Sequence, residues 1–370
     1  MKYYIIAGEA SGDLHGSNLI KEIKKLDQQA DVRAWGGDKM QEAGATIVKH
    51  YRELAFMGFI EVVRNLSTIL DNLKFCKKDI LEFAPDVLVL VDYPGFNLRI
   101  AKWAKEQGLK IIYYISPQVW AWKEGRVKTI KRVVDKMLVI LPFEEEFYRK
   151  WDYKVAYVGH PLVQVVNEFL EKHPKKDSAE KKIIALLPGS RQQEVAKKLP
   201  IMLQASNNFP GYQFVVARAS SLDDHFYDQF LKPYPQVSSV KDGTYQLLSQ
   251  ARAALVTSGT ATLETALFEV PEVVCYKGSP VSYQIAKRLV DIKYISLVNL
   301  IMDKPVVKEL IQNDLTVDKL TEELKAILEN EEKNQQMKRD YQELKNLLQK
   351  EGNASARAAQ EIIGFLQSNV

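Results

Sequence analysis

Cysteine is nearly absent from this chain. Cys76 and Cys275 are the only two in 370 residues, far apart and in no metal-ligand spacing. A disulfide framework or a zinc site is therefore not expected, and a reducing compartment is the natural home. No run of about eighteen apolar residues occurs, so nothing is expected to span a membrane. Tyr3–Ala7 is too short for a secretory signal core, and Gly8-Glu9 ends it. Strong charge of one sign is missing too. A net charge of +4 argues against a dedicated nucleic-acid binder but leaves room for local basic patches. Three catalytic signatures are also lacking. There is no Asp-x-Asp pair to hold a divalent metal against a diphosphate, no Gly-x-x-x-x-Gly-Lys-Ser/Thr loop and no Gly-x-Ser-x-Gly elbow. Any charge developing on a phosphate leaving group has to be met by helix N-termini and arginine.

What is present is ordinary globular material, 46% hydrophobic and 26% charged, long enough for two domains. Apolar, β-branched runs alternate with helical patterns. The candidate strands of the first half are Tyr3–Ala7, Val32–Trp35, Val87–Val91, Ile111–Ile115, Met137–Leu141 and Val155–Val158. Continuous apolar runs fit strands buried on both faces of a parallel sheet. Between them lie amphipathic stretches such as Leu14–Leu26, with Leu19, Ile20, Ile23 and Leu26 on one face. A charged stretch at 171–182 reads as a linker. The pattern then restarts with Ile183–Leu187, Phe214–Ala217, Val237–Val240, Ala253–Thr257 and Val273–Tyr276. The expected fold is α/β: two doubly wound Rossmann-like domains facing a cleft, 1–170 and 183–345. A helical tail, 346–370, is expected to pack on the first domain or on a partner subunit.

The most informative motif is Leu255-Val256-Thr257-Ser258-Gly259-Thr260-Ala261-Thr262-Leu263-Glu264. A strand, a small-residue turn and an immediate helix aim backbone N–H groups and a helix dipole at one spot. Glu264, about one turn in, can hold a sugar's hydroxyl pair. A nucleotide-sugar diphosphate fits; an ordinary Ser/Thr-capped helix is the plain alternative. Gly189-Ser190-Arg191 follows the first strand of the second half, where a guanidinium can clamp a diphosphate or pair with Glu194. Asp92 ends the run Val87–Val91. Burial there can raise its pKa toward that of a useful base, unless it caps a helix starting near Leu98. The turn Gly8-Glu9-Ala10-Ser11-Gly12-Asp13 brings Glu9 and Asp13, which suit hydroxyl recognition better than a phosphate. His15 and His160 read as structural residues.

Two stretches look made for an anionic lipid surface. One runs from Met57-Gly58-Phe59-Ile60 through Val63, Leu66, Ile69, Leu70 and Leu73, with Arg64, Lys74, Lys77 and Lys78 nearby. The other joins Trp120, Trp122 and Lys123 to Arg126, Lys128, Lys131 and Arg132. Core packing is the alternative for any one apolar residue among them.

Together these motifs resemble the lipid A disaccharide synthase family of two-domain GT-B glycosyltransferases, over nearly the whole chain. The resemblance rests on 8–13, on Phe56-Met57-Gly58-Phe59-Ile60-Glu61-Val62, on Val91-Asp92-Tyr93-Pro94-Gly95-Phe96-Asn97, on Tyr114-Ile115-Ser116-Pro117-Gln118-Val119-Trp120-Ala121-Trp122, on 187–191, on 258–264 and on Tyr294-Ile295-Ser296-Leu297-Val298-Asn299-Leu300. It implies transfer, with inversion, of the sugar of UDP-2,3-diacylglucosamine to 2,3-diacylglucosamine 1-phosphate, giving a β-1,6 disaccharide and UDP. By the same resemblance Asp92 is the general base toward the acceptor 6-hydroxyl, and Arg191 and Glu264 serve the donor. Asn299 is a further nucleotide-site residue that a swapped partner tail can supply. No metal or other cofactor is expected, no nucleic acid, and a place on the cytoplasmic face of the inner membrane. Tyr93 and Gly95 depart from the family's usual Ala and Asp. Arg218 is an unexpected charge, there for a phosphate or a surface ion pair. Another UDP-sugar enzyme of this fold, a muramyl-type transferase or a 2-epimerase, is the nearest alternative. A non-catalytic UDP-sugar-binding membrane scaffold is the other.

Overall fold

The computed structural model describes residues 1–54, 66–122, 125–174, 182–279, 293–350 and 352–368. Two parallel sheets form. The first contains β1 (Lys2–Ala7), β2 (Asp31–Gly36), β3 (Thr46–His50), β4 (Val87–Val91), β5 (Ile111–Tyr114), β6 (Lys136–Val139) and β7 (Ala156–Tyr157), in the order β3-β2-β1-β4-β5-β6-β7. The second contains β8 (Ile183–Leu187), β9 (Gln213–Arg218), β10 (Ser238–Lys241), β11 (Ala251–Thr257), β12 (Glu272–Tyr276) and β13 (Lys308–Ile311), in the order β10-β9-β8-β11-β12-β13.

Central strands have no polar face. Every residue of β4 is buried, as is all of β1 after Lys2. Helices cover both sides, so the apolar runs stay continuous instead of alternating. In each sheet the strand order reverses beside the first strand of that unit, between β1 and β4 and between β8 and β11. The strands there end nearly level: Ala7 lies beside Val91, and Leu187 beside Val256. Ligands of doubly wound sheets bind outside such reversal points.

The compact units are 1–161 with 349–370, and 162–348. The first boundary therefore falls earlier than the expected residue 170. The helix Pro161–Lys172 buries Leu162, Val163 and Val166 in the second unit's core, so it goes with that unit. Most of the expected linker, 175–181, lies outside the described residues. The helix Glu331–Gln349 adds Met337, Tyr341, Leu344 and Leu348 to the second core. The last helix, Ala354–Gln367, packs on the helix Ala10–Leu26 of the first unit. Two strands, β3 and β13, escape a search for apolar runs. Both are sheet edges and carry charge, Lys49 in one and Lys308 and Glu309 in the other.

Candidate functional site

In the first unit, the turns after β1 and β4 adjoin at the reversal point. Asp92 and Tyr93 both have left-handed backbones, with φ of 45° and 49°. Two consecutive non-glycine residues in that region are strained. The strain is held by specific bonds. The Asn97 amide donates to the Asp92 carbonyl at 2.7 Å, and the Tyr113 hydroxyl donates to the same oxygen at 2.5 Å. Tyr93 then caps the helix Pro94–Glu106 with no side-chain capping bond. That helix starts earlier than Leu98, and Asp92 is outside its cap. The carboxyl of Asp92 is raised to about 6, first by burial and then by the charge of Glu9.

Gly8 explains how the two turns fit. A Cβ there would lie 2.3 Å from the Tyr93 ring, so only glycine lets the ring settle over the β1 turn. Glu9 is the half-buried N-cap of Ala10–Leu26, and Ser11, in the helix's first turn, is exposed. Gly12 packs against Ala7. Asp13 corrects the expectation of a ligand-facing acid. It is buried, accepting N–H groups of Gly37 at 2.7 Å, Met40 at 3.1 Å and Lys39 at 3.2 Å. Its carboxylate anchors the start of the short helix Asp38–Glu42 and is spent there. His15 and His160 are buried too, their pKa values lowered to about 4 and about 3, chiefly by burial.

The second unit repeats the arrangement. Gly259, with φ of 144°, is the N-cap of Thr260–Leu267, and no side chain caps that helix. Ser258 does not act as the cap. Its hydroxyl donates instead to the Ile295 carbonyl at 2.7 Å. Gly259 and Thr260 are exposed, so the dipole end is open to solvent and suited to an anion. The helices starting at Asp224, Leu297, Val317 and Ala354 have side-chain caps, whereas those starting at Asp38, Arg126, Glu144 and Thr244 do not. The other switch-point helix, Gln192–Ser206, has Arg191 as its N-cap and again no side-chain cap. Gly189 has φ of 119°, and Ser190 is exposed beside it. Arg191 is largely exposed and pairs with Glu194 at 3.2 Å. Glu264 is half-buried. Burial raises its pKa, while the Tyr245 hydroxyl, donating at 2.8 Å, opposes the rise.

Asn299 faces inward. It is buried, its amide donating to the Val307 carbonyl at 2.9 Å and to Glu309 at 3.0 Å while its oxygen accepts the Val307 N–H at 2.9 Å. Glu309 also accepts the N–H groups of Ile295 and Ser296. Asn299 therefore braces the segment to which Ser258 is bonded. Arg218 takes the ion-pair alternative, with Asp224 and Asp228 each at 3.4 Å, and stacks on Tyr227.

Of the lipid-surface residues, Met57, Phe59 and Lys123 lie outside the described residues, as does the side chain of Trp122. Trp120 is half-buried, edge-on to Phe143 at 5.0 Å. Arg126 is half-buried, and Lys128, Lys131 and Arg132 are exposed on the helix Arg126–Val133. On Leu66–Phe83, Leu70 and Phe75 are nearly half exposed beside Lys74 and Lys78. Reading the sequence missed Asn97, Tyr113 and Tyr245. Only Asn97, inside a quoted motif, left a local signal; the other two meet the site through folding.

The sequence matches the lipid-A-disaccharide synthetase family over residues 3–363. Among named relatives, the lipid-A-disaccharide synthase of Trichlorobacter lovleyi is 40% identical over 339 residues, covering 89% of this chain and 88% of its own. That of Coxiella burnetii is 37% identical over 372 residues, covering 98% of both chains. Among solved structures, the UDP-GlcNAc 2-epimerase of Neisseria meningitidis bound to UDP-GlcNAc has a TM-score of 0.67 at 13% identity, covering 100% of both chains. The calicheamicin glycosyltransferase CalG4 has a TM-score of 0.63 at 16% identity, covering 99% of this chain and 98% of its own. These two likenesses speak for the fold alone.

Proposed function

The chain belongs to the lipid-A-disaccharide synthetase family, and from that premise we propose how its two reversal points divide the chemistry. The enzyme is a glycosyltransferase that forms the lipid A disaccharide 1-phosphate and UDP from UDP-2,3-diacylglucosamine and 2,3-diacylglucosamine 1-phosphate. Asp92 takes the proton of the acceptor 6-hydroxyl. The hydroxyl oxygen attacks the anomeric carbon from the face opposite UDP. The C–O bond to the diphosphate breaks, and configuration inverts in one displacement. The observation that carries this reading is Asp92 itself: a residue with a strained backbone and a doubly bonded main-chain carbonyl at a reversal point, whose carboxyl has a pKa raised to about 6. Such a group is largely ionised near neutrality yet basic enough to assist.

The second unit supplies the donor turn. The uncapped start of Thr260–Leu267 and the Arg191 guanidinium meet the diphosphate charge, and Glu264 holds the ribose hydroxyls. Catalysis needs no metal on this reading, since those groups carry the leaving-group charge. The test is product analysis by mass spectrometry. The two lipid substrates are mixed with enzyme in detergent, with EDTA and no added metal. A tetraacyl disaccharide phosphate with UDP is expected. Its appearance only after metal is restored would overturn the metal-independent route.

Among the described residues no helix is long and apolar enough to cross a membrane. We place the enzyme peripherally, on the cytoplasmic face of the inner membrane. Exposed Leu70 and Phe75 beside Lys74 and Lys78, and the basic face of Arg126–Val133, support this. Binding to anionic vesicles should weaken with salt and with Lys128 and Arg132 changed to Ser. Undiminished binding by that variant would remove the basic face from the interface.

A further inference from the structure

Lys198 has no role in the chemistry above. It lies on Gln192–Ser206, is only 3% exposed, and has no carboxylate within ion-pair distance among the described residues. Its ammonium donates to the Thr257 hydroxyl. Thr257 is the last residue of β11, directly before the Ser258–Gly259–Thr260 turn. A lysine held in the interior on one neutral hydroxyl is costly unless an anion arrives. The charges around it leave a positive excess. On its own helix lie Arg191, Glu194 and Lys197; from β12 it meets the Cys275 thiol, which burial pushes up to about 12 and so keeps neutral. Glu194 is already engaged by Arg191. Arg191, Glu194 and Lys198, spaced by three and four residues, form one stripe on the helix.

We propose that Lys198 is a buried counter-charge for the donor diphosphate, seated under the Ser258–Gly259–Thr260 turn. Lys198 is an under-compensated buried cation, and the diphosphate of the nucleotide supplies negative charge to it. The inference rests on the reading of that turn as the donor-phosphate site. It divides the labour in the second unit: the open helix start receives the phosphate oxygens, Arg191 reaches from the exposed side, and Lys198 acts from the interior. Burial lowers the Lys198 pKa, so an arriving anion also favours its protonated form.

Calorimetric titration of the full chain with uridine, UMP and UDP tests this. The unaltered protein should bind UDP more tightly than uridine. Lys198→Met should lose about tenfold or more in UDP affinity, less for UMP and nothing for uridine. The same variant, without ligand, should melt at or above the temperature of the unaltered protein, because an unpaired buried charge has gone. Lys198→Gln keeps a polar group beside Thr257 and serves where the Met variant does not fold; the same phosphate-selective loss is expected. A folded variant that keeps the full preference for UDP over uridine overturns the proposal. Equal binding of uridine and UDP by the unaltered chain would instead sink the reading of the turn itself.

Discussion

Burial and Glu9 hold the Asp92 carboxyl at about 6, and this affects rate and stability in opposite ways. Base catalysis needs the ionised form, so kcat/KM should rise with pH through about 6 and level off above it. Asp92→Asn should lower turnover by about 10²–10⁴-fold while leaving UDP affinity intact. For stability the sign reverses. A folded pKa above the unfolded 3.8 means the folded state binds more protons between the two values, so stability falls as pH rises across that window. Asp92→Asn should therefore melt higher than the unaltered protein at pH 8, with the gain vanishing below pH 4. A variant that melts lower at every pH would mean the carboxylate is a structural anchor. Asn97 is a positioning residue for the same turn. Its amide bond to the Asp92 carbonyl, at 2.7 Å, helps hold two left-handed residues. Asn97→Ala should lower kcat with little change in UDP binding, and should broaden the acid limb as the carboxyl samples other settings. An unaltered kcat and pH profile would deny it that role.

At the scale of elements, the helices at the two reversal points share one trait. Those starting at Ala10, Pro94, Gln192 and Thr260 have no side-chain cap, although Ser258 stands beside one of them. Sequence showed where these turns fall, because the apolar runs Tyr3–Ala7, Val87–Val91, Ile183–Leu187 and Ala253–Val256 each give way at once to small, proline or charged residues. It could not show that Ser258 spends its hydroxyl on Ile295, nor that Asp13 and Asn299 face inward. The partners of Asp13, at Gly37, Lys39 and Met40, are more than twenty residues away. The edge strands β3 and β13 were hidden for another reason: charged, half-buried residues break the apolar signal. Asp13 gives a direct check on its structural role. Asp13→Ala leaves buried N–H groups without an acceptor, at about 1–3 kcal/mol for each one that finds no substitute. The first unit should lose stability by denaturant unfolding while UDP binding by the second unit persists. A stable variant with weakened acceptor binding would return Asp13 to the ligand site.

For the molecule as a whole, the tail is what ties the two halves of the sequence together. The chain leaves the second unit near Gln349, and its last helix, Ala354–Gln367, belongs to the first. That helix buries Ala358, Ala359, Ile362 and Leu366 on the helix Ala10–Leu26, and Glu361 pairs with Lys136 at 2.6 Å. Its contribution is mostly apolar burial, which any copy of the same segment could supply. A partner's tail would fit the same surface, so a swapped dimer needs no new interface chemistry. Removing residues 352–370 should lower the first unit's melting transition and leave that of the second in place. Adding a peptide of residues 352–368 in trans should restore the lost transition. Sedimentation of the intact and shortened chains then separates the two arrangements. If the intact chain is a dimer and the shortened one a monomer, the tail is exchanged between copies. If both are monomers, the tail closes on its own first unit. A shortened chain with both transitions unshifted would mean that the apolar face of Ala354–Gln367 contributes nothing to the unit it covers.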